Sequence, residues 1–275
     1  MRRADRVLVP LRFAGDALAG ARLVSSPRAK TEPGFDPKSR ALLVWTRPRG
    51  QRNRMNELQE RIETAYAASG NDLGWRFLYS PAAVLERADV AFLGLNPGGS
   101  ERPSDHAKFC MAGGSAYAEE SWAGFPPGQS PLQRQVLLLF QRLEVRPADV
   151  LAGNLVPFRS PNWERLADRQ QALRFGRALW ADVLEQVRPK LVISMGGVAN
   201  EAVAAMLSVA GLRSVPVAWG QVSAVAGRFD GGRFVGLPHL SRFGIISRPQ
   251  SAEALKELFG EQWRGTSSSS ARASQ

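Results

Sequence analysis

The chain has 275 residues, 44% of them hydrophobic, and a formal net charge of +11, which is enough apolar material for one large domain or two small ones. Its one cysteine, Cys110, excludes an internal disulfide, a cysteine-ligated iron–sulfur cluster and a four-cysteine zinc site. The two histidines, His106 and His239, exclude a three-histidine catalytic zinc site, and we expect no metal or other cofactor.

The positive charge is concentrated near the start of the chain. Residues 1–54 contain thirteen Lys/Arg and four Asp/Glu, so this segment accounts for +9 of the net charge. We predict a basic N-terminal extension that binds a polyanion, with nucleic acid as the expected partner. A genomic preference for arginine codons is the alternative explanation, but it does not explain the clustering. No apolar run is long enough for a signal peptide or a membrane span, so we expect a cytoplasmic protein without a membrane partner.

The first half of the chain predicts two helices and a strand. Residues 55–68 have helical periodicity, and the apolar run 88–95 ends in the turn sequence Asn-Pro-Gly-Gly, as a buried strand does. Ser130-Pro131 then predicts the start of a second helix, because Ser is a good N-cap and Pro fits the first helical position.

The second half repeats the alternation of strand and helix. Two further buried strands are predicted at 148–157 and 190–197, and Ser160-Pro161 between them repeats the helix-start signal. A hairpin follows, with 222–229 and 233–240 flanking Asp-Gly-Gly, and a last helix runs from about Ser251.

This alternation predicts an α/β fold, a three-layer α/β/α arrangement with a central, mainly parallel four-stranded sheet. We divide the chain into the extension 1–54, a domain at 55–264 and a disordered low-complexity tail at 265–275. Ligands bind such sheets at the carboxyl ends of the strands, which directs attention to four residues that follow predicted strands. They are Asn96, Asn154, Gly196 and His239.

Three of these positions carry side chains with useful chemistry. The Asn96 amide both donates and accepts hydrogen bonds, so it can hold a water, although it is not a strong base. Asn154 can read the amide-like edge of a pyrimidine, and His239 can hydrogen-bond an anionic leaving group. Each residue taken alone is better explained as an ordinary turn, core or surface residue.

Together the motifs resemble the uracil-DNA glycosylase superfamily. One strand ends in G-x-N-P-G (94–98), another in N-x-x-P (154–157), and a late strand ends in a His followed by Ser241. The first motif is most similar to the mismatch-specific and single-strand-selective monofunctional branches, since the classical branch has Asp in place of Asn96. The resemblance covers roughly residues 75–250. The last motif reads His-Leu-Ser-Arg where the family usually has His-Pro-Ser-Pro, which changes the shape of the DNA-inserting loop.

The resemblance implies a monofunctional DNA glycosylase active in base excision repair. It hydrolyses the N-glycosidic bond of a flipped pyrimidine nucleotide and leaves an abasic site. Asn96 would position the attacking water, His239 would bond the pyrimidine oxygen, and Asn154 would read the base edge. Because Asn replaces Asp, we expect a modest rate, lower by on the order of 10²–10³. Phe109 is the candidate for stacking on the base, with Phe125 and Phe158 as alternatives.

The same resemblance assigns a substrate range and DNA contacts. Gly98, followed by Gly99, stands where the classical branch has a bulky aromatic, which leaves room for uracil, 5-hydroxymethyluracil or a larger C5-modified pyrimidine. A glucosylated cytosine of phage DNA is the extreme case and would make the protein antiviral. Ser100 and Ser241 would bind phosphates, and Arg242 and Arg248 would supply positive charge. Arg242 and Phe243 are the candidates for insertion into the base stack, and packing beneath the last helix is the alternative for Phe243.

Two other classes of protein stay open. One is a non-catalytic nucleic-acid-binding protein on the same fold, which fits the basic extension. The other is a small-molecule nucleoside hydrolase, which leaves the extension unexplained. No phosphate-binding P-loop or dinucleotide glycine fingerprint is present. We expect the protein to act as a monomer.

Overall fold

The computed structural model describes residues 49–102 and 106–264. Most of the predicted basic extension, residues 1–48, and the predicted tail, residues 265–275, lie outside the described residues. The first helix begins at Arg49, so the last six residues of the predicted extension are helical.

The sheet has six strands in the order β2-β1-β3-β6-β5-β4. The strands β2, β1, β3 and β6 are parallel to one another, and β5 and β4 continue the sheet antiparallel. The predicted α/β class with a mainly parallel core is therefore confirmed, and the four predicted strand ends belong to that core. The strands are β1 (Val90–Gly94), β2 (Leu151–Asn154), β3 (Leu191–Met195), β4 (Ala210–Trp219), β5 (Val222–Phe229) and β6 (Gly232–Leu237).

The sheet is larger than predicted because β4 does not look like a buried strand in sequence. Most of its residues are exposed, and only Val215 and Val217 are buried. Its proline, Pro216, is tolerated because β4 is an edge strand. The predicted hairpin around Gly231 is present as the β5–β6 pair.

Two hydrophobic cores lie on opposite faces of the sheet. Along β1, Ala91 and Leu93 belong to one core, whereas Val90 and Phe92 belong to the other, as the alternation of a strand requires. Apolar side chains of helices α1, α4 and α5 pack in the first core, which contains Ala91 and Leu93. Those of α3 and α6 pack in the second core, which contains Val90 and Phe92. The helices are α1 (Arg49–Ala67), α2 (Ala116–Glu119), α3 (Pro131–Arg142), α4 (Arg169–Val187), α5 (Gly197–Met206) and α6 (Ala252–Phe259).

One predicted helix start is confirmed and the other is wrong. Ser130 caps α3 in a reciprocal capping box. Its hydroxyl accepts a hydrogen bond from the Gln133 backbone N–H, and its own backbone N–H donates to the Gln133 side-chain oxygen. Ser160 does not cap an α-helix, since α4 begins at Arg169 and is capped by Asp168. The hydroxyl of Ser160 instead donates to the Asn162 carbonyl. Among the described residues, no helix has both the length and the apolar character needed to cross a bilayer.

Candidate active site

A cavity of about 660 Å³ opens at the carboxyl ends of the parallel strands. Asn154 ends β2 and Met195 ends β3, while Asn96 and His239 each follow a strand by two residues. All four side chains line the cavity, together with Gly98 and Gly99. The structure therefore brings together the three polar strand-end residues that the sequence singled out.

Asn96 is held by hydrogen bonds on one side of its amide. Its Nδ2 donates to the Ser160 Oγ over 2.8 Å and to the Pro97 carbonyl over 3.2 Å. Because a carbonyl oxygen only accepts, the nitrogen must face Pro97, which fixes the amide orientation. Ser160 is held in turn, since its Oγ donates to the Asn162 carbonyl over 2.7 Å. The Oδ1 of Asn96 is thus the end of the amide available to accept a hydrogen bond from a water in the cavity.

Asn154 is buried at the base of the cavity and is fixed at two points. Its Nδ2 donates to the Tyr79 hydroxyl over 2.8 Å, and its backbone carbonyl accepts from the Trp180 indole over 2.8 Å. A Cβ at Gly94 would come within 2.2 Å of the Asn154 Oδ1. The glycine that opens the G-x-N-P-G motif therefore makes room for the amide of the neighbouring strand.

His239 lies at the exposed rim of the cavity. Its Nδ1 lies 2.8 Å from the Ser241 Oγ. When Ser241 donates this bond, the ring proton is on Nε2 and the ring can donate to a ligand. The surrounding protein atoms partly desolvate the ring and lower the pKa of His239, so the imidazole is neutral at neutral pH.

A buried ion pair supports the wall of the cavity. The Arg76 side chain is only 2% exposed and makes two 2.7 Å bonds to the two carboxylate oxygens of Glu120. Burial alone would lower the pKa of Arg76 and raise that of Glu120, but these hydrogen bonds reverse both shifts. The Trp122 indole also donates to Glu120, over 2.9 Å. The pair thus fixes Trp122, which lines the cavity.

Arg159 is a second arginine in the lining. Its side chain is half-buried, and its Nη1 donates to the Gly98 carbonyl. Desolvation lowers the pKa of Arg159, and the positive charge of Arg76 acts in the same direction. Among the described residues, no carboxylate is paired with its guanidinium, whereas Arg76 is paired with Glu120.

The aromatic surface of the cavity differs from the predicted one. Phe109 does not line the cavity, and its ring centroid lies 5.4 Å from that of Phe77 in the first core. The cause is the pairing of segment 108–111 with 77–80, in which the Leu78 amide donates to the Phe109 carbonyl. The alternatives do not line it either, since Phe158 is buried against Phe175 and Phe125 lies on the surface. The rings that do line it are Tyr79, Tyr117, Trp122 and Trp163.

The predicted DNA-contacting residues differ in their exposure. Ser100 and Arg242 are exposed, and Ser241 is bonded to His239. Phe243 is half-buried, with its ring centroid 6.0 Å from that of Trp219, and the Arg248 guanidinium lies 4.8 Å from the centroid of the same tryptophan. Of the two candidates for insertion into the base stack, Arg242 is the more exposed.

Another cavity, of about 640 Å³, lies between the end of α4 and the β5–β6 turn. It contains none of the strand-end residues, and its lining combines apolar side chains of the first core with the charged Glu185, Arg188 and Asp230. Within the described ranges, no group of three or more His, Cys, Asp or Glu side chains is placed to hold a metal ion.

Sequence reasoning missed Arg76, Tyr79, Arg159 and Ser160. Arg159 and Ser160 lie two and three residues after the proline of the N-x-x-P motif, so their proximity to it was a usable signal. Arg76 and Tyr79 lie far away in sequence and reach the site through isolated bridges, which pair Trp75 with Phe158 and Leu78 with Gly153.

No protein-family model matches the chain, and no curated protein matches it either. The functional assignment therefore depends on the residues in the cavity and their chemistry.

Proposed function

We propose that the protein is a monofunctional DNA glycosylase that hydrolyses the N-glycosidic bond of uracil or a C5-modified pyrimidine in DNA. The observation that carries this proposal is the meeting of Asn96, Asn154 and His239 in one cavity at the ends of three parallel strands. The resemblance to the uracil-DNA glycosylase superfamily supports it, since its motifs contribute these same three residues.

The proposed reaction begins with a nucleotide flipped into the cavity, because the bond is inaccessible in the stacked duplex. Asn154, fixed by Tyr79, pairs with the polar edge of the base. The neutral His239 donates from Nε2 to the base oxygen on which negative charge develops. Asn96 accepts a hydrogen bond from the water at its Oδ1 and directs the water to the sugar carbon C1′.

The bond between C1′ and the base nitrogen N1 breaks with its electron pair passing to N1. The water oxygen bonds to C1′ and loses a proton to solvent, and the released base takes up a proton at N1. The products are a neutral base and an abasic site. No covalent bond to the protein forms, which is the meaning of monofunctional here.

A bulky hypermodified cytosine, such as a glucosylated base of phage DNA, is the second candidate substrate. The observation that favours it is the space beside the turn, because a Cβ at Gly98 would meet no heavy atom within 4 Å. The cavity of about 660 Å³ is in the size range of sites for drug-sized ligands. Trp122 and Trp163 line the cavity, so such a substituent would contact aromatic side chains.

The test is a panel of single- and double-stranded oligonucleotides, each with one modified pyrimidine, together with glucosylated phage DNA. After incubation, alkali cleaves the strand at abasic sites. We expect cleavage with the unmodified protein and its loss in Asn96→Ala and His239→Ala. Asn56→Ala is the matched control, because Asn56 is exposed on α1 and does not line the cavity.

Retained DNA binding without abasic product from any substrate would replace the proposal with a non-catalytic nucleic-acid-binding protein. Release of base from free nucleosides but not from DNA would replace it with a nucleoside hydrolase.

A further inference from the structure

Arg159 lies in the same cavity as the three strand-end residues, and the mechanism above does not use it. Its guanidinium has five N–H donors, and among the described residues it donates to the Gly98 carbonyl alone. Its backbone amide is fixed separately, by a 2.9 Å bond to the Gly74 carbonyl. Most of its donors therefore remain for a ligand.

Among the described residues, Arg159 is also the charged side chain of the lining that no carboxylate pairs, although Glu120 attracts it electrostatically. The other basic side chains in the described lining are Arg76, His106 and His239. Arg76 is neutralised by Glu120, and the Nε2 of His106 lies 3.7 Å from the same carboxylate. His239 is neutral at neutral pH. A half-buried cation without an anion is costly, and an anion formed or bound in the cavity would offset that cost.

Arg159 is bonded to the turn that carries Asn96, the proposed water-holding residue. Its Nη1 bonds the carbonyl two residues after Asn96, and a Cβ at Gly99 would lie 3.2 Å from that nitrogen. It also interacts electrostatically with Tyr79, whose hydroxyl holds Asn154. The guanidinium is thus bonded to the turn of the water-holding residue and lines the same cavity as the group that reads the base.

We infer that Arg159 is a catalytic residue that stabilises the negative charge of the departing base, which deepens the proposed glycosylase function and rests on it. When the C1′–N1 bond breaks, the electron pair moves to N1 and is delocalised over the ring oxygens. The neutral His239 imidazole stabilises this charge by donating a hydrogen bond, whereas the Arg159 guanidinium carries a full positive charge. In a site that excludes water, a fixed charge of this kind stabilises the transition state more than it would in solution.

The test compares single-turnover excision of uracil and of 5-fluorouracil from otherwise identical oligonucleotides. Fluorine withdraws electrons, so 5-fluorouracil leaves more easily and needs less stabilisation. We expect Arg159→Gln to slow uracil excision by on the order of 10²–10³ and 5-fluorouracil excision by clearly less. Arg159→Lys, which keeps the charge, should be slowed less than Arg159→Gln. Arg177→Gln, an exposed charge-matched change on α4, should stay within about twofold of the unmodified protein.

Free guanidinium ion provides a second measurement. It should partly restore uracil excision by Arg159→Ala, since a diffusible cation can enter the vacated space. A variant that fails because its fold or the Gly98 turn is disturbed would not recover in this way.

Equal rate decreases for the two bases, or an effect confined to DNA affinity, would overturn this role and assign Arg159 to a phosphate contact or to bracing the turn. Absence of base release by the unmodified protein from every oligonucleotide would instead overturn the proposed function, and this role with it. The two failures are therefore distinguishable.

Discussion

Asn96 depends on its neighbours for the direction in which its amide points. Ser160 accepts from Nδ2 over 2.8 Å and is itself anchored to the Asn162 carbonyl. An unanchored amide would rotate and present its nitrogen to the water, and that nitrogen cannot accept a hydrogen bond from the water. In the proposed reaction, Ser160 is therefore a positioning residue for the water and does not touch the reacting atoms.

We predict that Ser160→Ala lowers kcat by on the order of 10²-fold and leaves KM nearly unchanged, because misplacement of a reacting group slows the chemical step. Ser160→Thr, which keeps the hydroxyl, should recover part of the rate. Single-turnover kinetics measures both variants, with Ser223→Ala on the exposed face of β5 as the control. A change in KM alone would contradict the positioning role.

The electrostatics of His239 gives a prediction about pH. Desolvation lowers its pKa from the ordinary value of 6.5, so its titration midpoint in the folded protein should lie below 6.5. Because the chain has two histidines, NMR can assign the signal with a His106→Gln variant. The unfolded chain binds this proton more tightly, so stability falls with decreasing pH between 6.5 and the lowered pKa. A midpoint above 6.5 would contradict the neutral imidazole in the mechanism.

The Arg76–Glu120 ion pair links the segment between β1 and α3 to the segment beside the sheet that contains Arg76. The two residues are 44 positions apart in sequence. The glutamate also receives the Trp122 indole, and the Gln133 side chain at the start of α3 donates to the Glu120 backbone carbonyl over 2.6 Å. One ion pair thus connects the segment beside the sheet, the end of the short helix α2 and the start of α3. The role of the ion pair is therefore to hold Trp122 in the wall of the cavity.

We predict that Glu120→Gln destabilises the fold by about 3–5 kcal/mol, because it leaves the buried Arg76 guanidinium without its charge partner. Glu253→Gln, whose side chain is exposed, should change stability by about 0.5 kcal/mol at most. Urea unfolding measures both. The pair's contribution is present above the ordinary carboxyl pKa of 4.5 and disappears as pH falls through the lowered pKa of Glu120. Equal stability of the two variants would refute the structural role.

The strands that position the site were predictable from local pattern. Apolar runs that end in Asn-Pro-Gly, in Asn or in Pro-His identify the strand ends, and parallel pairing brings those ends to one edge of the sheet. The role of Ser160 was not predictable, because Ser-Pro is a common helix start and only the three-dimensional fold shows its bond to Asn96. The position of Phe109 likewise depends on the pairing of two distant segments.

Charge is distributed unevenly over the whole molecule. Residues 1–48 contain ten Lys/Arg and four Asp/Glu, so they account for +6 of the net +11 in less than a fifth of the chain. A segment of this charge adds affinity for the phosphate backbone but does not read bases. In the proposed function, the cavity recognises the substrate base, and the N-terminal segment adds general attraction to DNA.

We predict that deletion of residues 1–48, which leaves α1 intact, weakens DNA binding and flattens its salt dependence. The slope of log K against log salt should become shallower by about one unit for each phosphate that the segment neutralises in the full chain. The preference among modified bases should not change, since the cavity is retained. Fluorescence anisotropy across a salt series measures the slope, and an unchanged slope would remove the segment from DNA binding.

We propose that a water positioned by Asn96 replaces the base at C1′, and an isotope experiment can detect this replacement. The protein is incubated in ¹⁸O-labelled water with DNA that contains the excised pyrimidine, and mass spectrometry follows the free base and the abasic strand after immediate reduction of the sugar. We predict equimolar release of base and ¹⁸O at C1′, with Asn96→Ala slowing both equally. Tight DNA binding with neither free base nor labelled sugar would contradict the claim.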